Sequence, residues 1–447
     1  MAAKYRRRVV RRRRNAAPSR NTRRAWFVAT TVTDMSKLPF GFGSGDDESS
    51  DPNDFGAQMP LFAELQKLLS WSGGPVNWDL AEQLAQQTLA GASNSITPAE
   101  RSGTAEAIRL ADLWLDDVTD LPSGVHSIEA WTRADWLERT LPVWTALCDP
   151  VASRVVAAMS NAIPAEQLQA LSGNNPLGPI MTQIGGVMFG AQVGQGLGGL
   201  AHEVVSSTDI GVPLGPSGIA ALVPQNVALF GEGLERPADE VRLYLALREA
   251  AHQRLFGHVP WLRQRLLDTV ESYARGITID LSAIESAVQG VDPMNPESVQ
   301  EALSGGLFAP QQTPEQEVAL RRLETLLALV EGWVDAVVAA AAGDRMAGAE
   351  ALREASRRRR ATGGPAEQTF ATLVGLELRP RRLREAAALW WSVTEKRGVS
   401  GRDAIWSHPD LLPTADDLDD PLGFGERLDE SSAPDDLSGL DAGDEPN

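Results

Sequence analysis

Residues 246–258, ALREAAHQRLFGH, bring one carboxylate and two imidazoles close together in the chain. Glu249 and His252 have the spacing of the last two functional positions of a helical H-E-x-x-H. In that motif two histidines on one helical face hold zinc, and the intervening glutamate polarises the attacking water. His258 follows six residues after His252, at the offset of a third ligand in H-E-x-x-H-x-x-G-x-x-H. That longer motif has its turning glycine three residues after the second histidine, where Leu255 stands here, with Gly257 later. The first ligand position holds Arg248, whose guanidinium is always charged and has no lone pair to offer a metal.

Further carboxylates could complete such a site. Glu331 lies within the apolar run LALVEGWVDAVV, with Asp335 one helical turn later. Two like charges at that spacing repel unless water or a cation lies near both. Glu331 is therefore a candidate metal ligand and Asp335 a candidate support behind it, while a solvated helix face is the plainer reading of both. The plainer reading of His252 is a partly buried histidine paired with Glu249 or Arg248. A di-iron carboxylate bundle needs Glu-x-x-His twice, and His126, His202, His258 and His408 all lack a glutamate three residues before them. His202-Glu203 begins a second H-E-x-x-H but reaches Ser206 where histidine is required. No G-x-S-x-G elbow is present, and Cys148 has no histidine near it in sequence, so nucleophilic catalysis has no positive support.

The element that must position Glu249 and His252 is well marked. In ERPADEVRLYLALREAAHQRLF, residues 235–256, Pro237 suits a first turn, Asp239 and Glu240 sit at the positive helix end, and Gly257 is the expected breaker. At 100° per residue, Leu245, Glu249, His252 and Phe256 share a face. Around it, helical patterns dominate: MPLFAELQKLLSWSG, NWDLAEQLAQQTLAG with an Asn start, and TPAERSGTAEAIRLADLWLDDVT with a Thr-Pro cap. TRADWLERTLPVWTALCDPVASRVVAAM is expected to kink or divide at Pro142. TPEQEVALRRLETLLALVEGWVDAVVAAAAG reads as a long helix from Pro314 to Gly343, followed by a basic segment, REASRRRRATGG, expected as an exposed loop. Period-2 alternation is scarce. The expected class is mainly α.

Gly186, Gly190, Gly194 and Gly198 recur every fourth residue. Each costs a helix about 1 kcal/mol relative to alanine, so the stripe predicts close approach of another backbone; a phosphate-cradling loop would need G-x-x-x-x-G-K-[ST], which is missing.

The 447 residues suffice for a large domain, with 43% hydrophobic residues and a net charge of −19. Arginine crowds the first two dozen positions and acids the end. The acidic balance argues against nucleic acid as partner of the folded part. Residues 1–58 read as a disordered basic and polar segment with a possible start at Met35, 59–425 as the folded domain, and 426–447 as a disordered acidic tail. AWFVATTV is short for a signal sequence and lacks a cleavage site, and the apolar stretch 184–205 is interrupted by Gln192 and Gln195, so neither secretion nor a membrane span is expected. A single cysteine suits a reducing cytoplasm.

The run VPQNVALFGEGLERPADEVRLYLALREAAHQRLFGHVPWL resembles the actinobacterial zincin-like hydrolases, a family of zinc-dependent metalloprotease type. The similarity extends from LPFGFG near Leu38, through the glycine stripe, EGWVD and LELRPRRLREAAALW, to HPDLLPTADDLDDPLGF. It implies one large, mainly helical zincin-like domain in the cytoplasm, Zn2+ as cofactor, and a peptide or small amide as substrate. By motif it supports Glu249 as general base and His252 as ligand, with Arg248 replacing the preceding ligand. His258 and Glu331 are assigned to the metal from position rather than from the family's motif. Two functions follow: a zinc-dependent hydrolase with a degenerate R-E-x-x-H, or a non-catalytic zincin-fold protein in which Arg248 pairs with Glu249 or Glu331 and the fold binds a partner.

Overall fold

The computed structural model describes residues 73–91, 95–161, 177–277, 313–361 and 382–431, all within a compact unit spanning Ala63–Asn447. The expected segment 1–58, nearly all of the helix expected over 59–73, and residues 432–447 of the tail expected over 426–447 lie outside the described residues; residues 426–431 of that tail are helical, continuing a helix that starts at Pro421.

Local signals start the helices as expected. Helix α1, Trp78–Leu89, is capped by Asn77, whose side chain accepts from the Leu80 N–H at 3.0 Å. Helix α2, Pro98–Leu115, opens with Pro98 in its first turn and a reciprocal Thr97–Glu100 capping box. Such a cap contributes about 1 kcal/mol. Helix α3, Arg133–Asn161, runs undivided through Pro142 and Pro150. Trp136, Leu137, Thr140, Trp144, Leu147, Cys148 and Val151 recur at three- and four-residue steps and are all buried. That face outweighs the ladder bonds the prolines lose.

Helix α4, Leu177–Ala201, carries the glycine stripe, and the expected close approach is realised against α1. A Cβ on Gly190 would lie 2.5 Å from the Asn77 carbonyl oxygen, one on Gly194 2.5 Å from that of Ala81, and one on Gly198 2.7 Å from Thr88 Cβ. Next come α5, Pro224–Gly231, α6, Ala238–His258, and α7, Pro260–Arg275. Gly257 does not break α6; it lies against Gly124, whose own Cβ would sit 2.0 Å from the Gln253 carbonyl oxygen.

Helix α8, Pro314–Ala342, is the central element, packing against α6, α7 and a later helix, α10, Leu383–Ala404. Thr313 and Gln316 form its capping box. Among the described residues, Pro314–Arg345 is long and apolar enough to cross a membrane, unlike the 184–205 stretch, but 78% of its apolar window is buried inside the fold. The REASRRRR stretch is not an exposed loop. It forms α9, Ala349–Ala361, with arginines turned toward buried acids. The short α11, Ala415–Asp419, and α12, Pro421–Ser431, follow α10.

Two strands escaped the periodicity reading. β1, Ser127–Ala130, pairs in parallel with β2, Ile219–Leu222, with Ile128 opposite Ala220 and Glu129 opposite Ala221. Four residues are too short for alternation to register. Trp131, Trp136, Trp144, Trp333, Trp390 and Trp406 anchor the core, and Trp390 stacks on Trp406 with centroids 5.4 Å apart.

Candidate functional site

Helix α6 is buried around nearly its whole circumference from Tyr244 to Leu255, and its polar residues are satisfied by neighbours on every side. Glu249, 0% exposed, faces β2 and the segment before it. It accepts from the Ser207 hydroxyl, from Thr208 Oγ1 at 2.6 Å, from Gln253 Nε2 at 3.0 Å and from the Ala221 N–H at 3.3 Å. Those four donors, drawn from both side chains and backbone, hold the carboxylate as a bracket between α6 and the sheet.

Arg248 and His252, one turn apart, face α8 instead. Arg248 Nη2 lies 2.5 Å from Glu331 Oε2, and His252 Nε2 lies 3.0 Å from Glu331 Oε1. The Arg360 guanidinium, from the C-terminal turn of α9, reaches Glu331 Oε1 at 2.9 Å. His252 Nδ1 is 2.8 Å from the Arg248 carbonyl oxygen, and its ring stacks on Phe256 at 6.1 Å. His252 is 1% and Glu331 3% exposed, so both are buried, while Arg360 reaches them from a partly exposed position. Gly211, at φ +75°, passes so close that a Cβ would lie 2.7 Å from Glu331 Oε1. Only glycine adopts that backbone freely in that space.

Burial by itself would raise the Glu331 carboxyl. Arg360, Arg248 and His252 more than reverse it and hold the group well below the ordinary carboxylate range. Burial likewise opposes the Arg248 charge, yet Glu331, Tyr244, Asp335 and Asp209 raise its pKa above the ordinary arginine value. A second charge cluster adjoins the first. Asp335 is bound by Arg353 at 2.7 Å and Arg357 at 2.7 Å, and its carboxyl is lowered because these partners outweigh burial. Asp209 pairs with Arg359 at 3.0 Å, accepts from the Val205 N–H at 3.0 Å and is lowered for the same reason. Arg360 also donates to the Asp209 carbonyl.

The structure thus brings together Arg248, His252 and Glu331, with Asp335 one turn along α8 and paired to other arginines. Glu249 belongs to a separate bracket. His258 is elsewhere: its side chain is exposed and Nε2 faces the Ser123 carbonyl oxygen at 3.2 Å. Arg360, Asp209 and the Ser207–Thr208 pair were not singled out from the sequence. A run of four arginines reads as a solvated surface, and nothing local marks its inward face.

The comparisons with known proteins bear on this arrangement. The model of a zincin-like metallopeptidase family matches residues 76–424. The chain belongs to the zincin-like metallopeptidase family. A crystal structure described as "a putative hydrolase with a novel fold", from Chloroflexus aurantiacus, shares the fold at a TM-score of 0.56. It is 21% identical, and the match covers 79% of this chain and 99% of that one. No curated protein matches the chain. The family match supports a metallopeptidase-like hydrolase as the functional class, and the neighbour shows the shared fold.

The family implies zinc, and the side chains present decide whether it fits. A zinc ligand needs a free lone pair on imidazole. Both ring nitrogens of His252 already face protein oxygens, Nδ1 the Arg248 carbonyl at 2.8 Å and Nε2 the Glu331 carboxylate at 3.0 Å, so neither is aimed at an open ligand position. Glu331 has both oxygens engaged by guanidinium groups. A dication there would lie beside two fixed positive charges, and among the described residues no group of three or more His, Cys, Asp or Glu is placed to hold a metal ion. The residues as arranged do not fit zinc.

Proposed function

We propose that this chain is a metal-free member of the zincin-like metallopeptidase family, using the fold to bind a peptide or small amide in the cytoplasm rather than to hydrolyse it with zinc. The observation that carries the reading is the 2.5 Å contact of Arg248 with Glu331 in a buried site. Arg248 stands at the first ligand position of the motif and supplies, as a permanent guanidinium, the positive charge that a dication would bring. The complete burial of Glu249 supports it too, because a general base must lie within reach of the proton it removes.

A second reading keeps the hydrolase chemistry. It is favoured by family membership and by the Glu249–His252 spacing retained on one helix. Under it, Arg248 and Arg360 would have to leave Glu331 before His252 and Glu331 could serve as ligands.

Zinc content and equilibrium dialysis of the purified full-length protein separate the two. The metal-free reading expects no stoichiometric zinc and no micromolar zinc binding in the wild type. It also expects the double variant R248H/R360Q, which restores the histidine and removes both guanidiniums, to gain binding. Stoichiometric zinc in the wild type that is lost in His252→Ala would overturn it in favour of hydrolysis.

A further inference from the structure

On the other side of α8 lies a cleft of about 650 Å3, within the range of small-molecule sites, formed by α7, α8 and the segment 409–415 before and into α11. Thr325 and Leu329 line it, and Leu329 precedes Glu331 by two residues, so the two face about 200° apart around the helix. The cleft is therefore separate from the buried Glu331 cluster.

Its chemistry is asymmetric. Arg265 on α7 and Arg321 and Arg322 on α8 contribute three guanidiniums, and among the described residues none of the three makes an ion pair. This contrasts with Arg248, Arg353, Arg357, Arg359 and Arg360, each of which is matched to a buried acid. Two acids, Asp268 and Asp410, share the lining; Asp268 accepts from Gln264 at 2.7 Å and Asp410 lies 3.5 Å from His408 Nδ1, so neither is paired with the three arginines. Three guanidiniums against two carboxylates leave the concavity with a net charge of +1, a local reversal in a protein of net charge −19. Beside them the accessible lining is apolar at Val318, 38% exposed, and half-buried Leu412, backed by Leu326 and Leu329, which are nearly fully buried.

We propose that this cleft is a binding site for a small organic anion, a carboxylate or phosphate group held by Arg265, Arg321 and Arg322 with an apolar body against Val318 and Leu412. Guanidinium forks match either oxyanion by paired hydrogen bonds. The apolar lining adds affinity that a bare ion could not gain. The site stands independently of whether the Glu331 cluster ever holds metal.

The test is calorimetric titration of the full-length protein at low ionic strength with three probes: inorganic phosphate, phenyl phosphate and benzoate. Phenyl phosphate or benzoate is expected to saturate at one per chain, at least about fivefold tighter than inorganic phosphate, as an apolar contact of roughly 1 kcal/mol would give. Which of the two binds more tightly identifies the head group. The exposed pair of substitutions R321Q/R322Q should weaken binding about tenfold or more, the effect of removing charge-assisted hydrogen bonds. The surface control R154Q on α3 should leave it unchanged. Three results would each overturn the proposal: no saturable binding of any probe, binding unaffected by R321Q/R322Q, or inorganic phosphate binding as tightly as its phenyl ester.

Discussion

Arg248 Nη2 and Glu331 Oε2 meet at 2.5 Å across eighty-three positions of sequence, with their side chains 9% and 4% exposed. The contact places a cation at the motif position where a zincin supplies an imidazole. Two charges removed from water this fully gain little net stability from each other alone. Arg360 and His252 complete the coordination of the carboxylate, and Tyr244 shares the Arg248 guanidinium. Breaking one member therefore costs far more than the pair contributes.

Arg248→Met is expected to destabilise the fold by about 3–5 kcal/mol, because Glu331 stays buried with part of its counter-charge gone. Chemical denaturation measures it. The double variant R248M/E331Q should recover part of the loss, which identifies an uncompensated charge rather than a packing defect. Equal stability of Arg248→Met and wild type would show that the contact carries no structural weight.

Glu249→Gln removes one acceptor and introduces two N–H donors where four donors already converge. A loss of about 1–3 kcal/mol is expected from the mispaired buried group. A residue serving only as a catalytic base would leave the melting temperature unchanged, so thermal unfolding of this variant distinguishes bracket from base.

Acid should loosen the cluster around α9. Glu331, Asp335 and Asp209 all have carboxyls lowered in the folded protein, their arginine partners outweighing burial. For a lowered group, the stabilisation is fully present above its unfolded pKa and is lost as pH falls toward the folded value. Stability should thus be level above the ordinary values of 4.5 and 3.8 and decline progressively below them. Denaturation midpoints across that interval check the sign. Replacing Asp335 by Asn should flatten part of the decline.

Gly194→Ala and Gly199→Ala offer a paired test of the α1–α4 contact. A Cβ at 194 would meet the Ala81 carbonyl oxygen at 2.5 Å, whereas one at 199 meets nothing within 4 Å. The first substitution should cost about 1–3 kcal/mol through overpacking. The second should be neutral or stabilise by up to about 1 kcal/mol, since alanine is the better helix former. Matching effects in denaturant titrations would mean that the glycines are not there for close packing.

Much of the architecture was legible one turn at a time. The Asn77, Thr97 and Thr313 caps act within three residues of themselves, and the four-residue glycine period states a close approach whatever the partner. The Glu249–His252 spacing and the broad similarity through EGWVD and HPDLLPTADDLDDPLGF pointed to the zincin-like family, whose model the chain matches over 76–424. Pro142 does not divide its helix because a buried face offsets its lost bond, and β1 and β2 were too short to alternate visibly. What only the tertiary structure decided is which charges meet. Helical periodicity fixes neighbours three and four residues apart, whereas Glu331 draws Arg248 from α6 and Arg360 from α9. Sequence spacing could place a glutamate and a histidine on one helix. It could not show that Arg248 of the same helix joins His252 on Glu331 of α8 while Glu249 turns to β2, because that depends on how long-range burial leaves a carboxylate in need of positive charge.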